Sequence, residues 1–452
     1  MALFRKVLVA NRGEIAVRVI RACRELGIAT VAVHSEADAE ALHVRLADQA
    51  VCIGPPPARD SYLHVPALIA AAEVSGADAI HPGYGFLSEN AEFAEICARC
   101  GLVFIGPSPE NMRQWGDKVS ARALAARLGM PLMDGTGVLR DVDEAVERAS
   151  ALGFPVMLKA SGGGGGRGMK VVRSAEEMRR LYPQARAEAE AAFKNGDLYC
   201  ERYVEQPRHI EFQILGDGRG RAWVLGEREC SIQRRHQKLV EEAPSVAVTE
   251  EMRRDLGATL VRAMRESGYT SAGTVELLMD ERGRLAFMEM NTRIQVEHPV
   301  TEIVTDVDLV EQQIRIAAGL PVELPEDGFV PMRGHAIECR INAEDPETFV
   351  PWPGLITEYV PPGGPGIRVD GGIYGGFRVP GAYDSLLFKL IAYGVDRAQA
   401  IRRLDRALAE TIVGGIRTNV ALHRRIVADP DFRAGRLSTR FLERLGVTGA
   451  RG

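Results

Sequence analysis

Short apolar runs alternate with segments of helical period along roughly the first hundred residues. Lys6–Ala10 and Ile28–His34 are predicted strands, and Ile15–Leu26 between them is a predicted helix that ends at Gly27. The same alternation continues through Val51–Gly54, Val65–Ser75, Ala79–His81, Asn90–Arg99 and Leu102–Gly106. This order of elements predicts a parallel, doubly wound α/β unit. The first strand–helix turn lacks G-x-G-x-x-G, so a dinucleotide site is not predicted there.

A second, smaller unit follows the helix that ends at 129–131 and runs to about Val204. In this unit the strand Pro155–Lys159 leads into five consecutive glycines, and the strand Lys170–Val172 follows. A glycine run is entropically costly to order, but it lets backbone N–H groups approach an anion closely. A flexible linker is the alternative, although it would not explain lysines at both ends. We therefore predict a phosphate-covering lid; neither a Walker loop nor the protein-kinase signatures occur.

From His209 onward the pattern becomes that of antiparallel hairpins. His209–Leu215 and Ala222–Glu227 flank one turn, and Gly273–Met279 and Leu285–Asn291 flank another. Runs of this length around short polar turns are typical of hairpins. We therefore predict a sheet of different character from the one that begins the chain.

The strand Leu285–Asn291 carries polar groups that are costly to bury without a partner. Its alternation places Glu289 and Asn291 on one face, with the two methionines of the strand packed behind them. The short hairpin loop places Glu276 directly opposite Glu289, which is unfavourable unless a cation lies between them. Oxygen ligands of this kind suit Mg²⁺ or Mn²⁺ holding nucleotide phosphates, whereas an exposed strand with a salt bridge is the alternative.

Composition narrows the choice of function. The formal net charge is −5, with 46% hydrophobic and 26% charged residues, so neither nucleic acid nor an anionic membrane is an expected partner. The seven cysteines are scattered, and Cys97 and Cys100 are predicted to lie on a helix, without a second pair for zinc. No apolar run reaches the ~18 residues of a membrane span, and the first residues lead directly into a strand. A reducing, cytoplasmic compartment is expected.

A basic run, Gln233–Lys238, precedes the acidic pair Glu241 and Glu242. Such a run is usually a solvated face or a nucleic-acid patch. The neighbouring acids and the negative chain disfavour nucleic acid, whereas an anionic substrate beside ATP requires a group of cations. Cys230 has no activating base nearby in sequence, so we interpret it as structural.

Six stretches together identify a family resemblance. They are Ala10–Ala16, His81–Asn90, Lys159–Met169, Gln233–Lys238, Glu289–Pro299 and Arg340–Asp345. In this order they resemble the biotin carboxylase family of ATP-grasp enzymes over nearly the whole chain. The resemblance ends near Leu445 and includes neither a biotin-attachment segment nor a carboxyltransferase domain, so a stand-alone subunit is expected.

The resemblance implies an ATP-grasp fold of the α/β and α+β classes. An N-terminal doubly wound, Rossmann-like domain is expected over 1–117, followed by a helical linker over 118–131. A mobile glycine-rich lid domain is expected over 132–204, and a C-terminal mixed-sheet domain over 205–446, with a tail over 447–452. Pro365 falls where the family often has an aromatic residue near the dimer contact, so a homodimer of uncertain strength is expected.

The resemblance also implies positions for ATP and two metal ions, Mg²⁺ or Mn²⁺. The lysines would neutralise phosphates beneath the glycine N–H groups, residues 201–204 would hold adenine, and later positions would surround the ribose and phosphates. The implied ATP residues are Lys118, Lys159, Gly164, Gly165, Gly166, Met169, Glu201, Arg202, Tyr203, Val204, His209, Gln233, His236, Glu276 and Glu289. The implied metal ligands are Glu276, Glu289 and Asn291.

The implied reaction carboxylates carrier-bound biotin with bicarbonate through carboxyphosphate. Bicarbonate would contact Lys238, Arg293, Gln295 and the backbone of Val296, with Glu297 as the base. Tyr84 and Asp384 match positions near biotin, and Arg293 and Arg340 would stabilise its enolate. The implied catalytic residues are therefore Arg293, Glu297, Lys238 and Arg340.

The implied partners are a biotin carboxyl carrier protein and the carboxyltransferase subunits of an acetyl-CoA carboxylase. The same half-reaction for a pyruvate, propionyl-CoA or other acyl-CoA carboxylase would use the same residues, so this alternative stays open. An ATP-grasp carboxylate–amine ligase would keep the lid and the metal acids without needing Lys238, Arg293 and Glu297 together. A non-catalytic nucleotide-binding subunit is the alternative of a different class.

Overall fold

The chain begins with a five-stranded parallel sheet flanked by helices. The fold is taken from a computed structural model that describes residues 3–162 and 168–447, without the side chains of 118 and 119. The strands are β1 (Lys6–Val9), β2 (Ala29–His34), β3 (Gln49–Cys52), β4 (Ala79–His81) and β5 (Val103–Phe104), in the order β3-β2-β1-β4-β5. The helices are α1 (Gly13–Glu25), α2 (Leu42–Leu46), α3 (Val65–Ser75), α4 (Ala91–Arg99), α5 (Pro109–Gly116) and α6 (Lys118–Arg127). All four strand pairs are parallel, which confirms the predicted doubly wound unit.

A small antiparallel sheet forms the second unit. Its strands are β6 (Val156–Ala160), β7 (Met169–Val172) and β8 (Leu198–Arg202), and its helices are α7 (Val142–Leu152) and α8 (Ala175–Phe193). Strand β6 lies in the centre, with β7 on one side and β8 on the other. The strands before and after the glycine run are therefore a hairpin, as predicted. Ser174 caps α8 by accepting a hydrogen bond from the Glu177 N–H.

An eight-stranded sheet occupies most of the remaining chain. Its strands are β9 (Arg208–Asp217), β10 (Ala222–Arg234), β11 (Gln237–Ala243), β12 (Thr270–Met279), β13 (Leu285–Asn291), β14 (His335–Asn342), β17 (Ile367–Gly371) and β19 (Leu386–Gly394). Their order is β13-β12-β9-β10-β11-β14-β19-β17, and all neighbours pair antiparallel. Isolated parallel bridges join Leu132 to Phe287 and Val224 to Phe329, but the pairings between the strands of this sheet are antiparallel and not mixed as expected.

Helices and short strands complete this part of the chain. The helices are α9 (Glu250–Glu266), α10 (His298–Thr305), α11 (Leu309–Ala317), α12 (Arg397–Glu410), α13 (Val420–Ala428), α14 (Pro430–Arg433) and α15 (Phe441–Arg444). The short strands are β15 (Gly354–Leu355), β16 (Glu358–Val360), β18 (Arg378–Val379) and β20 (Ile412–Gly414). Within the described ranges, no helix combines the length and the apolar character that crossing a bilayer requires.

The predicted alternation of β13 is interrupted by a β-bulge. Glu276 pairs with Glu289 as predicted, but the next residue of β12, Leu277, pairs with Phe287. The extra residue, Met288, is therefore turned outward and is 39% exposed, whereas Met290 lies in the core. The expectation that both methionines pack behind the acids is wrong for Met288, because a bulge shifts the alternation by one residue.

Strand β14 is a central strand of the large sheet. It pairs with β11 on one side and β19 on the other, and Glu338 within it is fully buried. The Gln233–Lys238 run forms the tip of the β10–β11 hairpin. Arg235 and His236 form its two-residue turn, both with positive φ, which is the geometry of a type I′ turn.

Candidate active site

A row of charged side chains crosses four strands of the large sheet. Glu289 pairs with Glu276, Glu276 with Glu211, and Glu211 with Arg228, on β13, β12, β9 and β10 respectively. Directly paired residues share a sheet face, so three carboxylates and one guanidinium lie side by side. Such a row is unfavourable unless cations compensate the acids.

The ammonium group of Lys238 compensates three of the surrounding carboxylates. Its Nζ lies 2.5 Å from Glu211, 2.9 Å from Glu276 and 2.6 Å from Glu297. Lys238 is the second residue of β11, directly after the β10–β11 turn, so this hairpin places one cation among the acids of the row. Burial lowers the pKa of Lys238, but the carboxylates of Glu211, Glu276 and Glu297 raise it well above its usual value. A permanently charged lysine at the centre of the site follows from this arrangement.

Glu297, the predicted base, is held from both sides. Its Oε1 accepts a hydrogen bond from Lys238 at 2.6 Å, and its Oε2 accepts one from Arg340 at 2.7 Å. Burial raises the pKa of this carboxyl, but Lys238 and then Arg340 lower it well below its usual range. Glu297 is therefore ionised and oriented before any substrate binds, and it can accept a proton.

Glu241 shares the Arg340 guanidinium with Glu297. Arg340 Nε donates to Glu241 at 2.6 Å, and the second oxygen of Glu241 is buried. Burial raises the pKa of the Glu241 carboxyl to about 7, although Arg340 lowers it in part and Glu297 raises it further. The two acids on this arginine thus differ: Glu297 stays charged, and Glu241 titrates near neutral pH.

The raised pKa of Glu241 predicts a pH-dependent stability. A carboxyl that holds its proton only in the folded state stabilises the fold at low pH and loses this contribution as pH rises from about 4.5 to about 7. Glu241→Gln removes this titration. As pH rises through that window, the variant should therefore become more stable relative to wild type, with a higher relative melting temperature. The change corresponds to ~1–3 kcal/mol in the free energy of unfolding. Thermal denaturation between about pH 5 and pH 8 measures the difference, and a constant offset would contradict the assignment.

Arg293 is held beside the acidic row by the N-terminal unit. Glu89 accepts from Arg293 Nε at 2.9 Å, and its other oxygen accepts from the Thr292 backbone N–H at 3.1 Å. Arg293 also donates to the Asn291 side-chain oxygen at 3.0 Å. Glu89, on the loop after β4, is a contact that the sequence reasoning missed, although it lies in the quoted stretch His81–Asn90.

Two further residues were missed because each is a polar residue inside a strand. Glu211 follows His209 by two positions on β9, and Arg228 lies in the middle of β10 with no exposed side-chain area. Arg228 donates hydrogen bonds to Glu211, Gln213, Thr301, Thr274 and Gln295. The alternation of His209, Glu211 and Gln213 within an otherwise apolar strand was the signal available in the sequence.

Gln295 connects this arginine to the acidic row. Its side-chain oxygen accepts from Arg228 at 3.0 Å, and its Nε2 donates to Glu276 at 2.8 Å. Val296 follows with its carbonyl bonded to Lys389 at 2.9 Å. The predicted bicarbonate residues Lys238, Gln295 and Glu297 are therefore connected through shared partners, and Arg293 lies on the Asn291 side.

The predicted nucleotide residues fall into two groups. Glu201 on β8 is bonded to Lys159 on β6 and to Arg122 on α6, so an acid and two cations lie together at the small sheet. Arg202 and Tyr203 use their N–H groups in backbone bonds to Asp134 and Pro155. Met169 pairs with Lys159 across the β6–β7 hairpin, and Val204 is buried.

The second group lies on the large sheet. Gln233 Nε2 donates to His209 Nδ1 at 3.2 Å and to the Cys230 carbonyl at 2.9 Å, and His209 Nε2 faces Glu276 at 3.3 Å. His236 is exposed in the turn at the tip of the β10–β11 hairpin. Gly164, Gly165, Gly166 and the Lys118 side chain lie outside the described residues, so their predicted roles stay predictions.

Of the basic run, Lys238 lies in the acidic row. Arg234 instead stacks on the Phe349 ring with Cζ 3.9 Å from its centroid, and Arg235 is exposed. The cations around Glu297 come from segments distant in sequence. Lys238 and Arg340 bond to it, and Arg228 and Arg293 are close enough to interact with it electrostatically.

The predicted biotin residues lie near Arg340. The Tyr84 hydroxyl donates to Glu14, and burial raises the Tyr84 pKa well above its usual value. Asp384 is largely exposed, 3.7 Å from Arg12, which also stacks on Tyr383. Arg340 and Asp384 are each close enough to Tyr84 to interact with it electrostatically. Cys230 is buried, and burial raises its pKa well above the usual value, consistent with the predicted structural role.

The acidic pair fits a hard divalent cation. Glu276 and Glu289 are directly opposed across β12 and β13, and Asn291 follows on the same face. All three offer oxygen atoms, which Mg²⁺ and Mn²⁺ prefer, and the Asn291 amide lies 2.9 Å from Glu276. A bound ion would compensate the like charges that the hairpin places together. The alternative of an exposed salt-bridged strand is disfavoured, because Glu276 is almost fully buried.

Family comparisons cover almost the whole chain. Residues 3–112 match the family "Biotin carboxylase, N-terminal domain", and residues 338–444 match "Biotin carboxylase C-terminal domain". Between them, residues 117–325 match "Carbamoyl-phosphate synthase L chain, ATP binding domain".

Individual relatives agree with these matches. The biotin carboxylase of Haemophilus influenzae is 54% identical over 444 residues, which are 98% of this chain and 99% of that protein. The biotin carboxylase of Campylobacter jejuni in complex with β-γ-ATP has a TM-score of 0.92 at 45% identity, covering 98% and 99% of the two chains. The biotin carboxylase domain of Hydrogenobacter thermophilus 2-oxoglutarate carboxylase, a dimer with MgADP and bicarbonate, has a TM-score of 0.92 at 49% identity, covering both chains fully.

Proposed function

The chain belongs to the biotin carboxylase family, and from this membership we propose that it carboxylates biotin with ATP and bicarbonate. The observation that carries the proposal is the Lys238–Glu297–Arg340 arrangement beside the acidic row. It combines an ionised base, a cation for an anionic nucleophile and oxygen ligands for a metal within one buried site. A carboxylate–amine ligase needs only the last of these.

ATP and a divalent metal are the substrates and cofactor that this site fits. Glu276, Glu289 and Asn291 would hold Mg²⁺ or Mn²⁺, at two positions, and Lys159 with Glu201 would lie at the nucleotide. The relative from Hydrogenobacter thermophilus contains MgADP, which supports this assignment. When bound, the metal offsets the negative charge of the phosphates during phosphoryl transfer.

The first step joins bicarbonate to the γ-phosphate. Glu297 accepts the bicarbonate proton, and a bicarbonate oxygen forms a bond to phosphorus as the bond to ADP breaks. Lys238 stabilises the anionic nucleophile, and Arg340 together with Lys238 keeps Glu297 ionised and oriented. The lowered pKa of Glu297 makes it a weak base, so proton transfer is expected to accompany attack rather than precede it.

The second step uses the product, carboxyphosphate. Its C–O bond breaks to release CO₂ and inorganic phosphate, and the phosphate accepts the N1′ proton of biotin. The biotin nitrogen then forms a bond to CO₂, with Arg293 and Arg340 stabilising the negative ureido oxygen. Tyr84 and Asp384 would border the biotin ring near Arg340. Closure of the glycine-rich lid would exclude water, which otherwise hydrolyses carboxyphosphate.

We propose acetyl-CoA carboxylase as the larger enzyme, with a biotin carboxyl carrier protein and carboxyltransferase subunits as partners. The similar 2-oxoglutarate carboxylase domain keeps a pyruvate-type or other acceptor as the alternative. A homodimer is proposed because that relative is a dimer. We also propose the division into domains over 1–117, 118–131, 132–204 and 205–446, and a cytoplasmic location. All seven cysteines are free thiols, which agrees with a reducing compartment.

The proposed activity is tested by ATP hydrolysis that depends on bicarbonate and Mg²⁺ and is stimulated by free biotin. We expect all three dependences in the purified protein. An ATP hydrolysis rate that is independent of both bicarbonate and biotin, in a folded sample that binds ATP, would contradict the proposal. Identification of the co-purifying carboxyltransferase distinguishes the possible acceptors.

Arg293→Ala should slow biotin carboxylation by ~10²-fold or more while changing the KM for ATP little, because it removes a cation that acts on the developing enolate. The measurement is steady-state carboxylation at saturating Mg²⁺, with Arg254→Ala as control. Arg254 forms an exposed ion pair with Glu250 at the start of α9. A large loss of ATP affinity would show that Arg293 has a different role.

A further inference from the structure

One buried lysine near the site has no role in the chemistry described above. Lys389, on β19, has no exposed side-chain area. Its Nζ donates to the main-chain carbonyl of Val296 at 2.9 Å and lies 3.1 Å from Glu14 Oε2. Val296 immediately precedes Glu297, so this contact fixes the peptide from which the base projects.

The counter-ion, Glu14, comes from the opposite end of the chain. It lies in the first turn of α1, where a helix N-terminus favours negative charge, and its other oxygen accepts from the Tyr84 hydroxyl. A chain of contacts therefore runs from Tyr84 through Glu14 and Lys389 to the Val296 carbonyl. It joins the expected biotin end of the site to the expected bicarbonate end.

Two further acidic residues, Asp370 and Glu338, lie on the strands beside Lys389. Asp370 lies directly opposite it on β17, but both oxygens of Asp370 are bonded to Arg368, at 2.9 and 2.7 Å. Glu338, on the adjacent strand β14, is buried, and burial raises its pKa well above the usual value, although Lys389 lowers it in part. Glu14 is the carboxylate whose oxygen lies in ion-pair contact with the Lys389 ammonium group; burial raises the Glu14 pKa and Lys389 lowers it.

Close backbone packing holds Glu14 in place. A Cβ added at Gly372, after β17, would lie 3.0 Å from the Glu14 nitrogen and 3.0 Å from the Gly13 carbonyl carbon. The start of α1 therefore lies directly against the backbone of the C-terminal part. This contact leaves little freedom for Glu14 to move relative to Lys389.

Stability alone is a poor reason to keep this pair. A buried ion pair often stabilises a fold no more than apolar side chains of similar volume. A hydrogen bond from Lys389 to a carbonyl next to Glu297, by contrast, has a direct geometric effect on the base and on the Val296 backbone. We propose that Lys389 and Glu14 are positioning residues, an inference that rests on the proposed function. They hold the Val296 backbone at the expected bicarbonate site and connect it to Tyr84 at the expected biotin site.

The test uses a double variant without buried charge, Lys389→Met with Glu14→Gln. We expect its melting temperature and KM for ATP to stay near those of wild type, while kcat/KM for bicarbonate falls by ~10-fold or more because the base and its backbone lose their fixed geometry. The matched control is Arg253→Met with Glu227→Gln, which removes another buried ion pair, between α9 and β10. The control should keep the wild-type kcat/KM for bicarbonate.

The outcomes separate this inference from the proposed function. A folded double variant whose bicarbonate kinetics equal those of the control would overturn the positioning role. If the double variant does not fold, Glu14→Gln decides: a rise in the KM for bicarbonate of ~3-fold or more at unchanged KM for ATP supports the role, and no rise overturns it. Wild-type protein without bicarbonate-dependent ATP hydrolysis would instead refute the proposed function itself.

Discussion

Lys238→Met should reduce bicarbonate-dependent turnover by ~10²-fold or more and destabilise the fold by ~3–5 kcal/mol, because it leaves buried carboxylates without their shared cation. Glu211, Glu276 and Glu297 all contact this ammonium group within 3 Å. Methionine fills a similar volume but donates no hydrogen bond. The measurements are steady-state kinetics and the free energy of unfolding.

The loss of stability should depend on pH. In wild type, Lys238 helps to lower the pKa of both Glu276 and Glu297 well below the usual value. A lowered carboxylate pKa contributes stability above the unfolded-state pKa, and this contribution is lost as pH falls through the folded-state pKa. The difference between wild type and Lys238→Met should therefore shrink towards acidic pH. Lys6→Met, at a partly buried lysine of the N-terminal sheet, is the control and should retain activity.

Glu297→Gln should lower kcat for carboxylation by ~10²- to 10⁴-fold with little change in the KM for ATP, since it removes the proton acceptor and keeps the side-chain volume. Glutamine also places an N–H group against Lys238 or Arg340, which both donate to the present carboxylate. The measurement is initial carboxylation rate against bicarbonate concentration.

A matched control for this change is Glu229→Gln. Glu229 is also fully buried on the large sheet, where it accepts from Ser245 and Arg208, and burial raises its pKa. Glutamine should replace this carboxyl at little cost to activity. Equal losses in the two variants would show that the effect of Glu297→Gln is structural and not that of a missing base.

Local patterns were sufficient to predict much of the fold. The order of short strands and helices indicated the N-terminal parallel sheet, and the loop after β12 placed Glu276 opposite Glu289. Both features depend on residues close together in sequence. Met288 was misplaced because a bulge adds one residue to β13 and leaves no distinct mark in its apolar pattern.

The partners of the site residues could not be predicted in the same way. Arg340 contacts Glu241 and Glu297, and Lys389 contacts Glu14 and Val296, across separations of 43 to 375 positions in sequence. Such contacts depend on which strands become neighbours, and no local pattern indicates that β14 pairs with β11 and β19. The family resemblance implied residue types and roles, whereas the structure identified what holds those site residues that it describes.

The central claim is that one site transfers phosphate to bicarbonate and then carbon to biotin. It is tested most directly by isotope transfer from ¹⁸O-labelled, ¹³C-labelled bicarbonate in the presence of ATP, Mg²⁺ and biotin. We expect ¹³C in carboxybiotin and ¹⁸O from bicarbonate in the inorganic phosphate, because the attacking oxygen stays on phosphorus when carboxyphosphate breaks down. Carboxybiotin formed with no ¹⁸O in phosphate, or phosphate released with no ¹³C in biotin, would contradict the claim.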